Sequence, residues 1–261
     1  MMEDYAQTEF PDLKVWLTST TEQWAVIAVQ GPRARDVLAP LVDGVDIGAT
    51  DFPHMSVKAG RICGVDARIF RVSFTGELGF EINVPADFGA DVWEAVWREV
   101  QKHGGCAYGT ESMHVLRAEK GFIIVGQETD GTVTPDDVGL AWAIGKGKRD
   151  FVGMRSLSRP DMVRSGRKQL VGLLTADPKR VLEEGAQVVE GLRPPAGTPA
   201  LGHVTSAYWS EALGRSIALA LVADGRTRIG TRLNVPMPDG DVAVDVVTPV
   251  FLDPKGERLN G

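Results

Sequence analysis

The sequence predicts an α+β fold in which a mixed part with helices and strands is followed by a small antiparallel β-barrel. Three observations support this prediction. One stretch in the first part, residues 88–103, repeats apolar residues at helical spacing. Short β-branched runs separated by glycine and proline turns fill residues 169–247. A basic stretch near 145–168, broken by glycine and proline, lies between these parts and indicates a domain boundary.

The first part alternates strands with helices. WAVIAVQ, at 24–30, is rich in β-branched and aromatic residues and predicts a strand, as does LKVWLTS at 13–19. Gly31-Pro32 is expected to open a short helix that ends near Leu41, because proline is favoured at a first helical position. Residues 1–10 show no periodic signal. The remaining predictions are a loop-rich stretch at 43–63, strands at 65–74 and 80–84, and helices at 88–103 and 110–120.

The second part consists of short strands at regular intervals. Turns rich in glycine and proline separate them, and this pattern is typical of a small barrel or sandwich. The predicted strands are 169–174, 202–206, 216–222, 232–235 and 242–247.

Composition and charge exclude several classes of protein. The 261 residues suffice for a full hydrophobic core, and 28 lysines and arginines against 35 aspartates and glutamates give a formal charge of −7. This balance argues against a general nucleic-acid or anionic-membrane binder. The start is polar and acidic, unlike a signal peptide, and no run reaches the roughly 18–20 apolar residues of a membrane span. Cys63 and Cys106 have no CxxC spacing, so a reducing, cytoplasmic setting is expected.

The segment FTGELGFE, residues 74–81, carries the clearest chemical signal. Two glycines indicate a tight turn, with Glu77 and Glu81 on either side of it. One interpretation is a hairpin with solvated carboxylates. The other is a carboxylate held at a strand start, where it receives two parallel N–H donors from a flat heterocycle such as a pterin edge.

Other polar stretches carry weaker signals when each is taken alone. Arg117, Glu119 and Lys120 of LRAEKG are expected to form ordinary surface ion pairs, and Trp142 is expected in the core. The four histidines lack metal-ligand spacing, so no metal site is expected. No nucleophile elbow, Walker loop or dinucleotide fingerprint is present.

Five segments in the same order resemble the glycine-cleavage aminomethyltransferase (T-protein) family of folate-dependent proteins: FTGELGFE, LRAEKG, TPDDVGLAW, GHVTS with LGRSIALA, and RIGT. Within the family, the chain is most similar to the branch formed by the carboxyl-terminal part of heterotetrameric sarcosine oxidase α subunits. Aminomethyltransferases carry an arginine where Met113 stands here, which favours that branch. A sister branch in iron–sulfur assembly has a cysteine after the lysine-glycine pair, where this chain has Phe122.

The resemblance implies a domain organisation and a fold. Residues 1–22 correspond to the tail of the family's middle domain. Residues 23–160 correspond to a ferredoxin-like, aminomethyltransferase-type folate-binding domain that is truncated at its start. Residues 161–261 correspond to the closing β-barrel.

The resemblance also implies folate-binding residues. Glu81 matches the glutamate that recognises the pterin edge, and Arg228, in RIGT, matches a folate-associated arginine of the barrel. Phe74 and Trp142 match aromatic positions that line the folate cavity. The family's catalytic aspartate belongs to a section before residue 1, so no catalytic residue is assigned.

The implied activity is the oxidative demethylation of sarcosine to glycine, with the one-carbon unit passed to tetrahydrofolate. Flavin and NAD are expected on other segments or partner subunits, and the isolated chain is expected to be inactive. The implied partners are folate, the amine substrate and the other sarcosine oxidase subunits. Three alternatives stay open: a glycine-cleavage type of aminomethyltransferase, a non-catalytic folate module, and a structural remnant that only packs against partner subunits.

Overall fold

A computed structural model describes residues 1–192, 194–195 and 197–260. The contacts within the chain form two compact units. Unit 1 contains residues 1–73 and 77–107 and a short piece that begins at Leu259. Unit 2 contains residues 74–76 and 108–258. Helices and sheets occur together, which confirms the α+β class. The domain limits predicted at 22 and 160 do not coincide with this division and stay predictions.

Unit 1 is built on a five-stranded antiparallel sheet. Its strands are ordered β1-β5-β4-β3-β2. Two helices accompany the sheet, and a third stands at the start of the chain. In chain order the elements are α1 (Met2–Thr8), β1 (Trp24–Gln30), α2 (Ala34–Leu38), β2 (Val42–Asp43), β3 (Ser56–Ile62), β4 (Val65–Arg71), β5 (Gly79–Pro85) and α3 (Gly89–Lys102).

The core of unit 1 lies on one side of this sheet. Val92 and Val96 of α3 belong to the same buried cluster as Ile82 of β5 and Ile27 of β1. Alternate residues of each strand point to opposite sides, so the residues between these core positions face the other way. The two helices therefore cover one face of the sheet with apolar side chains.

Three predictions for unit 1 were wrong. Residues 13–19 form no strand and Trp16 is 83% exposed, because the described residues provide no neighbouring strand for this apolar run. Strand β3 lies within the stretch that was predicted to be a loop. Its sequence lacks the usual strand pattern, because Lys58 and Gly60 occupy inward-facing positions where a strand usually has apolar residues. Helix α1 was missed because it buries no residue and so shows no apolar periodicity.

Unit 2 contains the predicted antiparallel strands, each within a few residues of its expected limits. A six-stranded sheet has the order β10-β11-β6-β9-β8-β7. Backbone hydrogen bonds between Val189, next to β7, and Asn234 of β10 join the two ends of this order. The elements are α4 (Thr110–Glu119), α5 (Pro160–Val163), β6 (Lys168–Thr175), β7 (Gln187–Val188), β8 (Gly202–Ser210), β9 (Arg215–Ala223), β10 (Arg232–Met237) and β11 (Gly240–Val247).

Packing within this sheet is close enough to require a glycine. A Cβ atom built on Gly202 of β8 would lie 1.9 Å from the carbonyl oxygen of Leu221 in β9. That atom belongs to the backbone and cannot turn aside. The glycine of the GHVTS motif is therefore explained by the approach of two neighbouring strands.

Candidate functional site

Glu81 is the third residue of β5 and lies on the side of the sheet that α3 does not cover. Its direct neighbours across the strands are Ala28 of β1 and Phe70 of β4, and Val57 of β3 follows Phe70 in the same row. Directly paired residues point to the same side of a sheet, so these four side chains share one face. The flanking Ile82 is fully buried on the opposite face.

We call the side that carries Glu81 the open face. Val26 and Val57 on it are 56% and 54% exposed, although both are apolar. Both side chains project from the face that carries Glu81, on strands β1 and β3. The members of the open face include Trp24, Val26, Ala28, Val57, Ala59, Arg61, Asp66, Arg68, Phe70, Glu81, Asn83 and Pro85.

The Glu81 carboxylate has acceptor oxygens available for a ligand. The side chain is half-buried, and it makes no hydrogen bond or ion pair with any residue in the described part of the chain. An ionised carboxylate accepts hydrogen bonds only, and its two oxygens suit two parallel donors. Glu81 is therefore a preformed acceptor on a partly apolar surface.

The glycines of FTGELGFE form the turn that the sequence predicts. Gly76 has φ = 82°, in the left-handed region, and a Cβ there would lie 2.1 Å from Cγ of Lys120. A Cβ on Gly79 would collide with the side chain of Gln30. Gln30 accepts a hydrogen bond from Ser73 at 2.9 Å.

A guanidinium group, that of Arg68, also lies on the open face, opposite the residue that comes two positions after Glu81 in β5. The Cζ atom of Arg68 is 4.3 Å from the centre of the Trp24 ring, which is a cation–π contact. Arg68 is opposite Asn83 of β5, and Trp24 is opposite Pro85. This pair cannot be recognised from the sequence alone, because the two residues are 44 positions apart and no motif connects them.

The other three predicted site residues lie in unit 2. Arg228 is mostly buried and donates from Nε to the carbonyl oxygen of Ala223 at 2.9 Å; its Nη1 is 3.5 Å from Glu190. Phe74 is half-buried, and Trp142 is 75% exposed, so the expectation that Trp142 is a core residue was wrong. No hydrogen bond or ring contact joins Phe74, Trp142 and Arg228 among the residues that the structure describes.

The charged residues of LRAEKG are buried, which corrects their interpretation as surface pairs. Arg117 and Glu128 are both 0% exposed and form an ion pair at 3.0 Å. Arg117 also donates to Ser206 of β8 at 2.7 Å, and Glu128 accepts from the Ile124 amide at 2.7 Å. These contacts fasten α4 and the following loop to the barrel strands.

The next two charged residues of this helix end are buried in the same way. The hydroxyl of Ser210 donates to Glu119 at 2.5 Å. Lys120 pairs with Asp253 at 2.9 Å, and its own side chain is 5% exposed. The charged residues at the carboxyl end of α4 are therefore buried and paired.

A cavity of about 420 Å³ also lies in unit 2. Apolar residues such as Leu157 and Met162 line one part of it, and the Arg167–Asp137 pair lines another. Burial raises the pKa of Asp137, but hydrogen bonds from Arg167 and Thr134 outweigh that effect and hold the pKa below its ordinary value. None of the predicted site residues lines this cavity.

The described residues contain neither a metal-binding cluster nor a membrane-spanning helix. Within these residues, no group of three or more histidine, cysteine, aspartate or glutamate side chains could hold a metal ion. No helix in the described part of the chain combines the length and the apolar character needed to cross a membrane.

Comparisons with known proteins give a consistent result. The family model described as GCVT N-terminal domain matches residues 1–148, and that of the glycine cleavage T-protein C-terminal barrel domain matches residues 168–253. A solved structure of the glycine cleavage system aminomethyltransferase T from Bartonella henselae superposes with a TM-score of 0.76 at 23% identity. This superposition covers 96% of the chain and 66% of that protein, and it shows a shared fold.

Curated relatives extend this likeness. The chain is 50% identical over its whole length to the sarcosine oxidase subunit alpha of Corynebacterium sp. (strain U-96), and 37% identical over 99% of its length to that of Rhizobium meliloti (strain 1021). It spans 27% and 26% of the length of those two proteins. It is also 31% identical to the aminomethyltransferase of Thermotoga maritima, over 94% of the chain and 63% of that protein.

Proposed function

This chain belongs to the glycine-cleavage T-protein (aminomethyltransferase) family, and from that premise we propose that it forms the folate-binding portion of a sarcosine oxidase α subunit. In this proposal the parent enzyme demethylates sarcosine oxidatively to glycine, and the one-carbon unit passes to tetrahydrofolate. The identity of 50% to a sarcosine oxidase subunit, against 31% to an aminomethyltransferase, supports the oxidase branch. The replacement of the family's arginine by Met113 supports it as well.

The unpaired carboxylate of Glu81 is the observation that carries this proposal. A pterin presents adjacent ring and amino N–H groups on one edge, and these fit the two oxygens of a carboxylate. Phe70 and Ala28, on either side of Glu81, offer apolar contact to a flat ring. The chemistry of the open face therefore suits a pterin.

The chain's own residues have a positioning role in this function. Tetrahydrofolate, when bound, supplies the amine that takes up the one-carbon unit. The protein must hold the two reactants at attack distance and exclude water, which would otherwise release formaldehyde. Arg228, Phe74 and Trp142 are proposed as further folate contacts on the strength of the family resemblance.

The remaining features of the parent enzyme are part of the same proposal. Flavin and NAD would be held by other segments or by partner subunits of the oxidase. Both Cys63 and Cys106 are free, as suits a reducing compartment, and the cytoplasm is the proposed location.

Replacing Glu81 with glutamine is expected to weaken folate binding by about 1.5–3 kcal/mol. The amide keeps the shape of the side chain, but it loses the charge and turns an N–H group towards the donor edge of the pterin. Isothermal titration of the purified chain with 5-formyltetrahydrofolate measures the change. The matched control is Glu94→Gln, because Glu94 is an exposed residue of α3 paired with Arg98.

The same substitution in the assembled oxidase tests the function itself. We expect Glu81→Gln to leave the rate of amine oxidation unchanged and to shift the product from methylenetetrahydrofolate towards formaldehyde. Unchanged folate affinity together with an unchanged product ratio would remove Glu81 from the site.

A further inference from the structure

Arg68 is a cation on the open face without an acidic partner. In the part of unit 1 that the structure describes, Arg61 pairs with Asp66 at 3.4 Å and Arg98 pairs with Glu94 at 3.0 Å. Arg68 forms no ion pair there and lies over Trp24 instead. Its position is therefore determined by an aromatic ring and leaves the charge uncompensated.

A cation–π contact leaves the hydrogen-bonding capacity of an arginine intact. The aromatic ring attracts the face of the guanidinium, whereas the five N–H donors lie in the plane of the group. Those donors match the two oxygens of a carboxylate, and a guanidinium held in place loses little freedom when it binds one. Trp24 thus prepares Arg68 for an anion.

The position of the Arg68–Trp24 pair relates it to Glu81. Both lie on the open face, with Asn83 and Pro85 following Glu81 along β5 and standing opposite Arg68 and Trp24. Two to four residues of a strand span roughly 7–14 Å at about 3.4 Å each. Glu81 therefore offers an acceptor for N–H groups, and the Arg68–Trp24 pair offers a cation further along the same face.

We propose that Arg68, held over Trp24, binds the anionic carboxylate tail of the same ligand whose flat ring is recognised by Glu81. The inference rests on the proposed function, which supplies a ligand with a donor edge at one end and carboxylates at the other. It makes Arg68 a binding residue that selects tailed folates over bare pterins. A conjugate that carries additional glutamates belongs to the same class of ligand.

The test compares two ligands on the purified full chain. 5-Formyltetrahydrofolate carries the glutamate tail, and tetrahydrobiopterin has the reduced ring without it. Arg68→Gln is expected to raise the Kd for the tailed ligand about tenfold and to change the Kd for the bare pterin less than about twofold. Arg68→Lys keeps the charge and should recover part of the loss. Trp24→Leu should also raise the Kd for the tailed ligand, by a smaller factor than Arg68→Gln.

The control is Arg98→Gln, which removes an exposed arginine of the same unit and should leave both dissociation constants unchanged. Salt offers a second readout, because the tenfold difference should shrink as ionic strength rises. If Arg68→Gln weakens the binding of both ligands equally, or of neither, the role of Arg68 is overturned, while the folate binding of the unmodified chain is unaffected by that result. Failure of the unmodified chain to bind either ligand contradicts the proposed function and the role of Arg68 with it.

Discussion

Glu128→Ala is expected to lower the free energy of unfolding of unit 2 by about 3–5 kcal/mol. This is the usual effect of removing one partner of a buried ion pair while the other stays charged. The substitution leaves Arg117 charged and 0% exposed without its carboxylate. It also removes the acceptor of the Ile124 amide.

Urea denaturation followed by circular dichroism measures this effect. Glu94→Ala is the matched control, because its ion pair with Arg98 is exposed and should contribute less than about 1 kcal/mol. Arg117→Met combined with Glu128→Leu removes both charges, and it is expected to recover most of the lost stability. A loss below about 1 kcal/mol for Glu128→Ala would mean that water reaches Arg117 and compensates its charge.

Phe80→Ala is expected to destabilise unit 1 by a similar amount, about 3–5 kcal/mol, through the cavity that it leaves. The Phe80 ring is 0% exposed. The guanidinium carbons of Arg71 and Arg35 lie 5.2 Å and 5.6 Å from the ring centre, and the Phe52 ring lies at 5.9 Å. Arg71 is itself 1% exposed, so its charge loses a favourable aromatic contact as well.

The same denaturation experiment, with a probe in unit 1, tests this prediction. Phe88→Ala provides the control, since Phe88 is 44% exposed and should change stability much less. Phe80→Leu keeps most of the side-chain volume, so it should lower the free energy of unfolding clearly less than Phe80→Ala does. Equal losses for leucine and alanine would show that the aromatic contacts with the two arginines outweigh the packing.

Much of the fold could be predicted from periodicity in the sequence. The limits of β1 agree with the run WAVIAVQ. Its alternating burial and its β-branched residues both favour a strand. Helix α3 was found from its apolar steps of three and four, and its buried Val92 and Val96 are members of that series. The position of Glu81 in a strand after a glycine turn also followed from the local sequence.

The buried charges could not be predicted, because their partners are distant in the sequence. Arg117 reaches Ser206, 89 residues away, and Lys120 reaches Asp253, 133 residues away. Local composition suggests a solvated helix end, and only the tertiary fold shows that each charge has a partner. The contact of Arg68 with Trp24 was missed for the same reason, although both residues lie in strands that the sequence identified.

Strand β1 is the last strand of its sheet in the described residues, and this position has a consequence for handling the protein. One side of its backbone faces no neighbouring strand, and its seven residues, WAVIAVQ, include no charge and no proline. Such an edge is a template for pairing between molecules, and uncharged β-branched runs are the segments from which fibrillar aggregates grow. Concentrated solutions of the chain should therefore self-associate through Trp24–Gln30, and a lysine in place of the exposed Val26 would act as a gatekeeper against it.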